Sequence, residues 1–296
     1  MAEKPAVHPD MAVGEALRAI ARDVLSEARG ALDNQDKPNA VAVHDYRKAM
    51  KRWRGLLLLL QPYLGEEGQH RRIEARDFAR ELAGARDAQA AIEALEELVE
   101  SEAPLSPRTM ASIRGRLDEI RLGAEAATLT QAVRARLIVA LENTANTIDG
   151  WPVDQITFAD LARELAKTYR RVRKDAPADW PAAEPEVLHE LRSRVVAHRY
   201  QMELVVPLWP KFGRVWVAEA QRLRDRLGSF QDLSVLHDFT KPHAALAPWR
   251  SRLVPLILAR QALHAKAAQR IGGRLLAEKP KAFRRRLEAL WEQERR

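Results

Sequence analysis

The sequence predicts an all-α protein, and three observations carry that reading. Ala, Leu, Arg and Glu dominate a chain of 296 residues that holds only 13 glycines; the dominant residues are strong helix formers. No long Val/Ile/Thr-rich alternation points to a sheet. Apolar residues recur at helical spacing between short breakers such as Asp36-Lys37-Pro38 and Gln61-Pro62. Apolar residues make up 46% of the chain and charged residues 30%. That balance supports a sizeable core and excludes a disordered chain.

The chain contains itself twice. Shifted by 145 residues, His44 falls on His189, Arg47 on Arg192, Arg54 on Arg199, Pro62 on Pro207, Gly68 on Gly213 and Asp87 on Asp232. Between His44 and Asp87 ten positions are identical, where a composition of this kind gives roughly three by chance. The register extends upstream, with Arg18 on Arg163, Arg22 on Lys167 and Arg29 on Lys174. Two structural repeats follow, residues 1–150 and 151–296, with a helix stop at Gly150-Trp151-Pro152.

Each repeat reads as helices joined by short loops, a pattern that packs as antiparallel bundles. In the first, a helix from about Met11 ends before Asp36. A second runs from Asn39 to Gln61 and is closed by Pro62, a third covers Glu66 to Leu82, and a fourth starts near Asp87. Ser106-Pro107 is an N-cap with proline at the first helical position, and two further helices end before Asp149-Gly150. In the second repeat Thr157 with Asp160 forms a capping box, and Pro207, Gly228 and Gly272-Gly273 punctuate the rest. At Ala83-Gly84-Ala85-Arg86-Asp87 and Gly228-Ser229-Phe230-Gln231-Asp232, Gly closes one helix and Asp caps the next.

Lys and Arg number 49 against 41 Asp and Glu, for a net charge of +8. The excess favours anionic partners such as nucleic acid, polyphosphate or an acidic membrane. Cysteine is absent, which excludes disulfides, thiol nucleophiles and thiolate metal sites. The first ten residues lack the apolar core of a secretory signal, and the longest apolar run, Leu56 to Leu60, is far too short to span a bilayer. A cytoplasmic protein without a membrane partner is expected.

The positive charge is organised in stripes. His44, Arg47, Lys51 and Arg54 fall at i, i+3, i+7 and i+10, with Lys48 and Arg52 beside them. Tyr46, Met50, Trp53, Leu57 and Leu60 form the opposite, core-facing side. Stacked like charges cost a few tenths of a kcal/mol per pair, so an anion is expected to compensate them. Arg163, Lys167, Arg170 and Lys174 make a second stripe of about 16 Å, backed by Leu161, Leu165 and Val172. Arg18, Arg22 and Arg29 are its first-repeat counterpart. His189, Arg192 and Arg199 repeat the histidine stripe more weakly, because Val196 replaces Lys51 and Arg194 points off it. A solvated face explains any one such helix; recurrence at repeat-related positions favours a ligand.

Other motifs are structural or absent. His8, His70, His237, His243 and His264 show no paired-ligand spacing, and no P-loop or nucleophile elbow is present. Trp151, Trp180, Trp209, Trp216 and Trp249 do not interleave with the stripes and read as packing residues.

Val43-His44-Asp45-Tyr46-Arg47 through Arg54, with Leu188-His189-Glu190-Leu191-Arg192 through Tyr200 and the Asp junction after each copy, resembles the CHAD (conserved histidine α-helical domain) family. The resemblance implies two helical bundles related by pseudo-two-fold symmetry, with a basic groove or cavity between them. It also implies binding of inorganic polyphosphate and association with polyphosphate granules. By matching position the binding residues would be His44, Arg47, Lys51, Arg52 and Arg54, then His189, Arg192, Arg194 and Arg199. No ExExK signature or β-rich segment of a triphosphate tunnel domain is present. The expected activity is therefore non-catalytic binding, with no cofactor. Two alternatives stand beside it: phosphotransfer through His44, and nucleic-acid binding.

Overall fold

The computed structural model describes residues 4–34, 36–82, 86–100 and 105–295, with the backbone alone for 125–128. The described residues form ten α-helices and no strand. The helices are α1 (Val13–Asp33), α2 (Asn39–Glu81), α3 (Arg86–Glu100), α4 (Pro107–Thr128), α5 (Gln131–Ala145), α6 (Phe158–Asp175), α7 (Pro185–Glu203), α8 (Pro210–Asp238), α9 (Arg250–Leu275) and α10 (Pro280–Glu294). No helix among them is long and apolar enough to cross a membrane.

The capping chemistry behaves as the sequence predicts. Thr157 and Asp160 close a reciprocal box: the Asp160 amide donates to Thr157 Oγ1 at 3.2 Å, and the Thr157 amide to Asp160 Oδ2 at 3.1 Å. Ser106 accepts from the Thr109 amide at 3.2 Å, with Pro107 in the first turn. The stop before Trp151 is also present, as a 3₁₀ turn over Ile148–Gly150.

Three boundaries differ from expectation. Pro62 does not close its helix; the break falls at Gly65, where φ is +55° and ψ −133°, a conformation suited to glycine. The chain folds back there, and the second arm of α2 lies along the first: Arg47 donates from Nη1 to the Ala79 carbonyl. Gly228 does not end a helix either. It sits inside the continuous α8, where the Arg192 guanidinium lies 3.6 Å from the position a Cβ would take. Asp232 is therefore not an N-cap. Asp87 does lie in the first turn of α3, whereas Ala83-Gly84-Ala85 fall outside the described residues. Gly272 and Gly273 lie within α9, and a Cβ on Gly272 would come within 2.8 Å of the Trp180 ring.

The stripes' apolar backs are buried as predicted. Tyr46, Met50, Trp53, Leu57 and Leu60 are in the core, as are Leu161, Leu165 and Val172. That core draws on both halves of the chain. One cluster joins Leu17, Leu57, Leu165, Leu191, Leu223 and Phe283. A second joins Leu95 and Ile113 to Leu236 and Ile257. His264 Nε2 and Arg260 Nε meet Glu97 Oε1 at 2.5 and 2.7 Å, tying α9 to α3. Trp151 and Trp180 are buried; Trp209 departs from the packing role, standing 48% exposed and stacked on Phe212.

Helix α1 packs on α2 and α5, α6 on α7 and α10, and α2 crosses α7. Gly55 lies at that crossing. A Cβ placed there would lie 3.6 Å from the Ala197 carbonyl oxygen and from Tyr200 Cβ. Buried Gln201 donates from Nε2 to the Gly55 carbonyl at 2.9 Å.

Two glycine substitutions separate steric need from helix propensity. Gly213→Ala would place a methyl 2.9 Å from Val206 Cα and is expected to destabilise by about 1–3 kcal/mol. Gly115→Ala, on the exposed side of α4 with open space around it, should stabilise by roughly 0.5–1 kcal/mol. Urea titration of both variants measures the two effects.

Candidate functional site

A cavity of about 960 Å³ opens where α2, α3, α4, α7 and α8 converge. Its cations are His44 (when protonated), Arg47, Lys48 and Lys51 from α2, Arg86 from α3, Arg121 from α4, Arg199 from α7 and Arg224 from α8. Val43, Leu82, Leu129 and Val196 supply apolar wall, and Glu93 is the acidic lining residue. A second cavity of about 610 Å³ adjoins it and shares Lys48, Arg199, Tyr200 and Gln221.

Lys51 is the electrostatic centre. Burial, followed by the fields of Arg86, Arg192, Arg224 and Arg47, pushes its ammonium down to about 7. Burial and Arg86 hold Arg47 below the usual guanidinium range, with Asp87 opposing. Arg192, behind the wall on α7, is lowered to about 10 by burial and then by Arg224 and Arg86. Its Nε is buried without a hydrogen-bond partner among the described residues. Asp232 lies 3.8 Å from Arg86, and burial nevertheless raises its pKa. Arg224 pairs with Asp225 at 2.7 Å. Lys48 and Lys51 have no ion pair among the described residues, so the site holds cations that neighbouring acids do not neutralise.

The stripes separate into two populations. His44, Arg47, Lys48, Lys51 and Arg199 line the cavity; Arg199 also bonds Glu203 at 2.5 Å and stacks over Tyr200 at 4.0 Å. Several others do not line it and are engaged by acids. Arg18 bonds Asp154 at 2.6 Å and the Trp151 carbonyl at 2.7 Å, Arg22 bonds Asp149, and Arg29 bonds Glu142 and, at 3.0 Å, Asp33. Arg52 is held by Glu27 and lies 3.5 Å from Asp23. Arg163 pairs with Asp160 at 2.6 Å, Lys167 with Glu164 at 2.7 Å, and Arg194 with Asp175. His189 Nδ1 lies 3.0 Å from Gln231 Oε1, away from the cavity. Arg54, Arg170 and Lys174 also lie outside it.

Arg224, Arg121 and Arg86 belong to none of the stripes that the sequence marks out. The repeat register could not find Arg224, because its counterpart is Ala79. A continuous helical face could have: Arg224, Gly228 and Asp232 are spaced at i, i+4 and i+8. The expected break at Gly228 hid that face.

The described residues thus combine an all-helical fold with a cavity lined largely by cationic side chains. The sequence model of the CHAD domain matches residues 15–241, and the chain belongs to that family. No curated protein matches it as a relative.

Lys51 links the site to stability. Between about pH 7 and 10.5 the unfolded chain holds a proton on this residue that the folded protein lacks, so stability rises with pH across that window. Below pH 7 the folded protein bears the full cost of the buried ammonium. Lys51→Met should therefore be more stable than the parent at about pH 6, with the gap closing towards about pH 10. Denaturant midpoints across this range measure it.

Proposed function

We propose that the protein is a non-catalytic receptor for a long polyanion, inorganic polyphosphate, and that the cavity is its basic groove. Lys51 carries the reading: partly buried, surrounded by Arg47, Arg86, Arg192 and Arg224, and in no ion pair among the described residues. Desolvated like charges are unfavourable together. Phosphate oxygens entering the groove relieve the repulsion and accept charge-assisted hydrogen bonds. Charge does not choose among polyanions; membership of the CHAD family, which is linked to polyphosphate, favours that one.

In this reading residues 1–150 and 151–296 are pseudo-symmetric helical halves of one CHAD domain that meet beside the groove. Helix starts 145 residues apart, at Val13 and Phe158, support the symmetry. So do the parallel packings of α1 with α2 and of α6 with α7. The protein would act in the cytoplasm, at polyphosphate granules.

Lys51→Gln and Arg47→Gln should each weaken polyphosphate binding by about tenfold or more, the value of a charged hydrogen bond of ~1.5–3 kcal/mol. Arg22→Gln, whose partner is Asp149, should leave binding unchanged. Full affinity in a folded Lys51/Arg47 double variant would exclude the groove. Titration calorimetry at several salt concentrations gives the affinities and the counterion-release slope. Single-stranded RNA that displaces polyphosphate at matched charge and salt would move the assignment to nucleic acid.

Binding should also take up a proton. Lys51 loses its proton near pH 7 in the free protein, and bound phosphate favours the charged form. Affinity is expected to fall from about pH 6 to about pH 9, and Lys51→Arg should flatten that dependence.

A further inference from the structure

Lys51 has the surroundings of a reactive amine. It is half-buried in the cavity wall, one turn after Arg47 on α2. Arg86 from α3 and Arg224 from α8 line the same cavity. With Arg192 from α7 and Arg47 they act on its charge. Glu93, the acidic lining residue, forms no ion pair with it among the described residues. At about 960 Å³ the cavity is within the range of small-molecule sites.

Desolvation and neighbouring cations both make a lysine nucleophilic, because both favour the free amine. Lys51 has both, and they hold its ammonium well below the usual range. Lys48 is the contrast on the same helix: it lines the same cavity but stands exposed. The arginines also select the electrophile, since their guanidiniums attract an anionic one. An acyl phosphate has the matching parts, a phosphate for the guanidiniums and an acyl carbon for the amine.

We propose that Lys51 is a site of acylation by small acyl phosphates, and that this modification weakens the groove's hold on its ligand. The Lys51 Nζ lone pair attacks the acyl carbon, and an N–C bond forms. The C–O bond to phosphate breaks, and the phosphate leaves with the electron pair, its growing charge met by the guanidiniums. The extra amine proton passes to water. The product is a neutral amide, which has lost the charge of the lysine. The acylation rests on the cavity's geometry alone; its effect on the ligand rests on the proposed polyphosphate binding.

The test incubates the parent protein with acetyl phosphate at about pH 7.4, with and without polyphosphate. Peptide mass spectrometry follows acetylation at each lysine. A lysine of ordinary pKa is roughly one part in a thousand free amine at that pH. A less basic nitrogen offsets part of this advantage, so Lys51 should react about tenfold or more faster than Lys48. Polyphosphate should slow the reaction at Lys51, which ties the site to the groove. Equal rates at Lys51 and Lys48, or no acetyl group on Lys51, overturn the acylation site and leave the groove standing. Rapid acetylation of Lys51 that polyphosphate does not slow overturns the groove, and with it the effect on the ligand, and leaves the acylation site standing.

Discussion

The close crossing of α2 and α7 is the constraint on which the cavity depends. Gly55 packs there against Ala197 and Tyr200, and buried Gln201 donates from Nε2 to the Gly55 carbonyl. The same crossing sets Lys48 and Lys51 opposite Val196 and Arg199, and it brings the field of Arg192 onto Lys51. Packing and electrostatics are coupled here through one helix crossing.

Around that crossing the protein sorts its cations by whether an acid reaches them. Arg18, Arg22 and Arg29 tie α1 to the 149–154 linker and to α5. Arg52 ties α2 back to α1 through Glu27 and Asp23. These arginines act as struts, and those that are solvent-exposed contribute little individually. Lys51 and Arg192 have the opposite environment: desolvated, among like charges, with pKa values driven down. A fold selected only for stability would not keep them so.

Much of the architecture was legible because it depends on local chemistry. The helix starts at Ser106 and Thr157 follow from side chains three residues from the amides they cap. The buried faces of α2 and α6 follow from a 3.6-residue period. The reading failed where a distant contact overrode a local preference. Gly228 is a helix breaker by propensity, yet α8 runs through it, packed against the Arg192 guanidinium. Pro62 is tolerated, and the fold-back waits for the positive φ of Gly65.

The sequence by itself determined the all-helical class, the 145-residue register and the family, since composition, periodicity and motif spacing are properties of the chain alone. It also placed His44, Arg47, Lys48 and Lys51 together on one helix. Only the tertiary structure decided which cations are spent on acids and which are not. Asp154 and Glu142 lie more than a hundred residues from Arg18 and Arg29 and meet them only after folding. Arg86 and Arg224 reach Lys51 from two other helices. Charge is written in the sequence, but its neutralisation is a matter of distance, and distance exists only in the folded molecule.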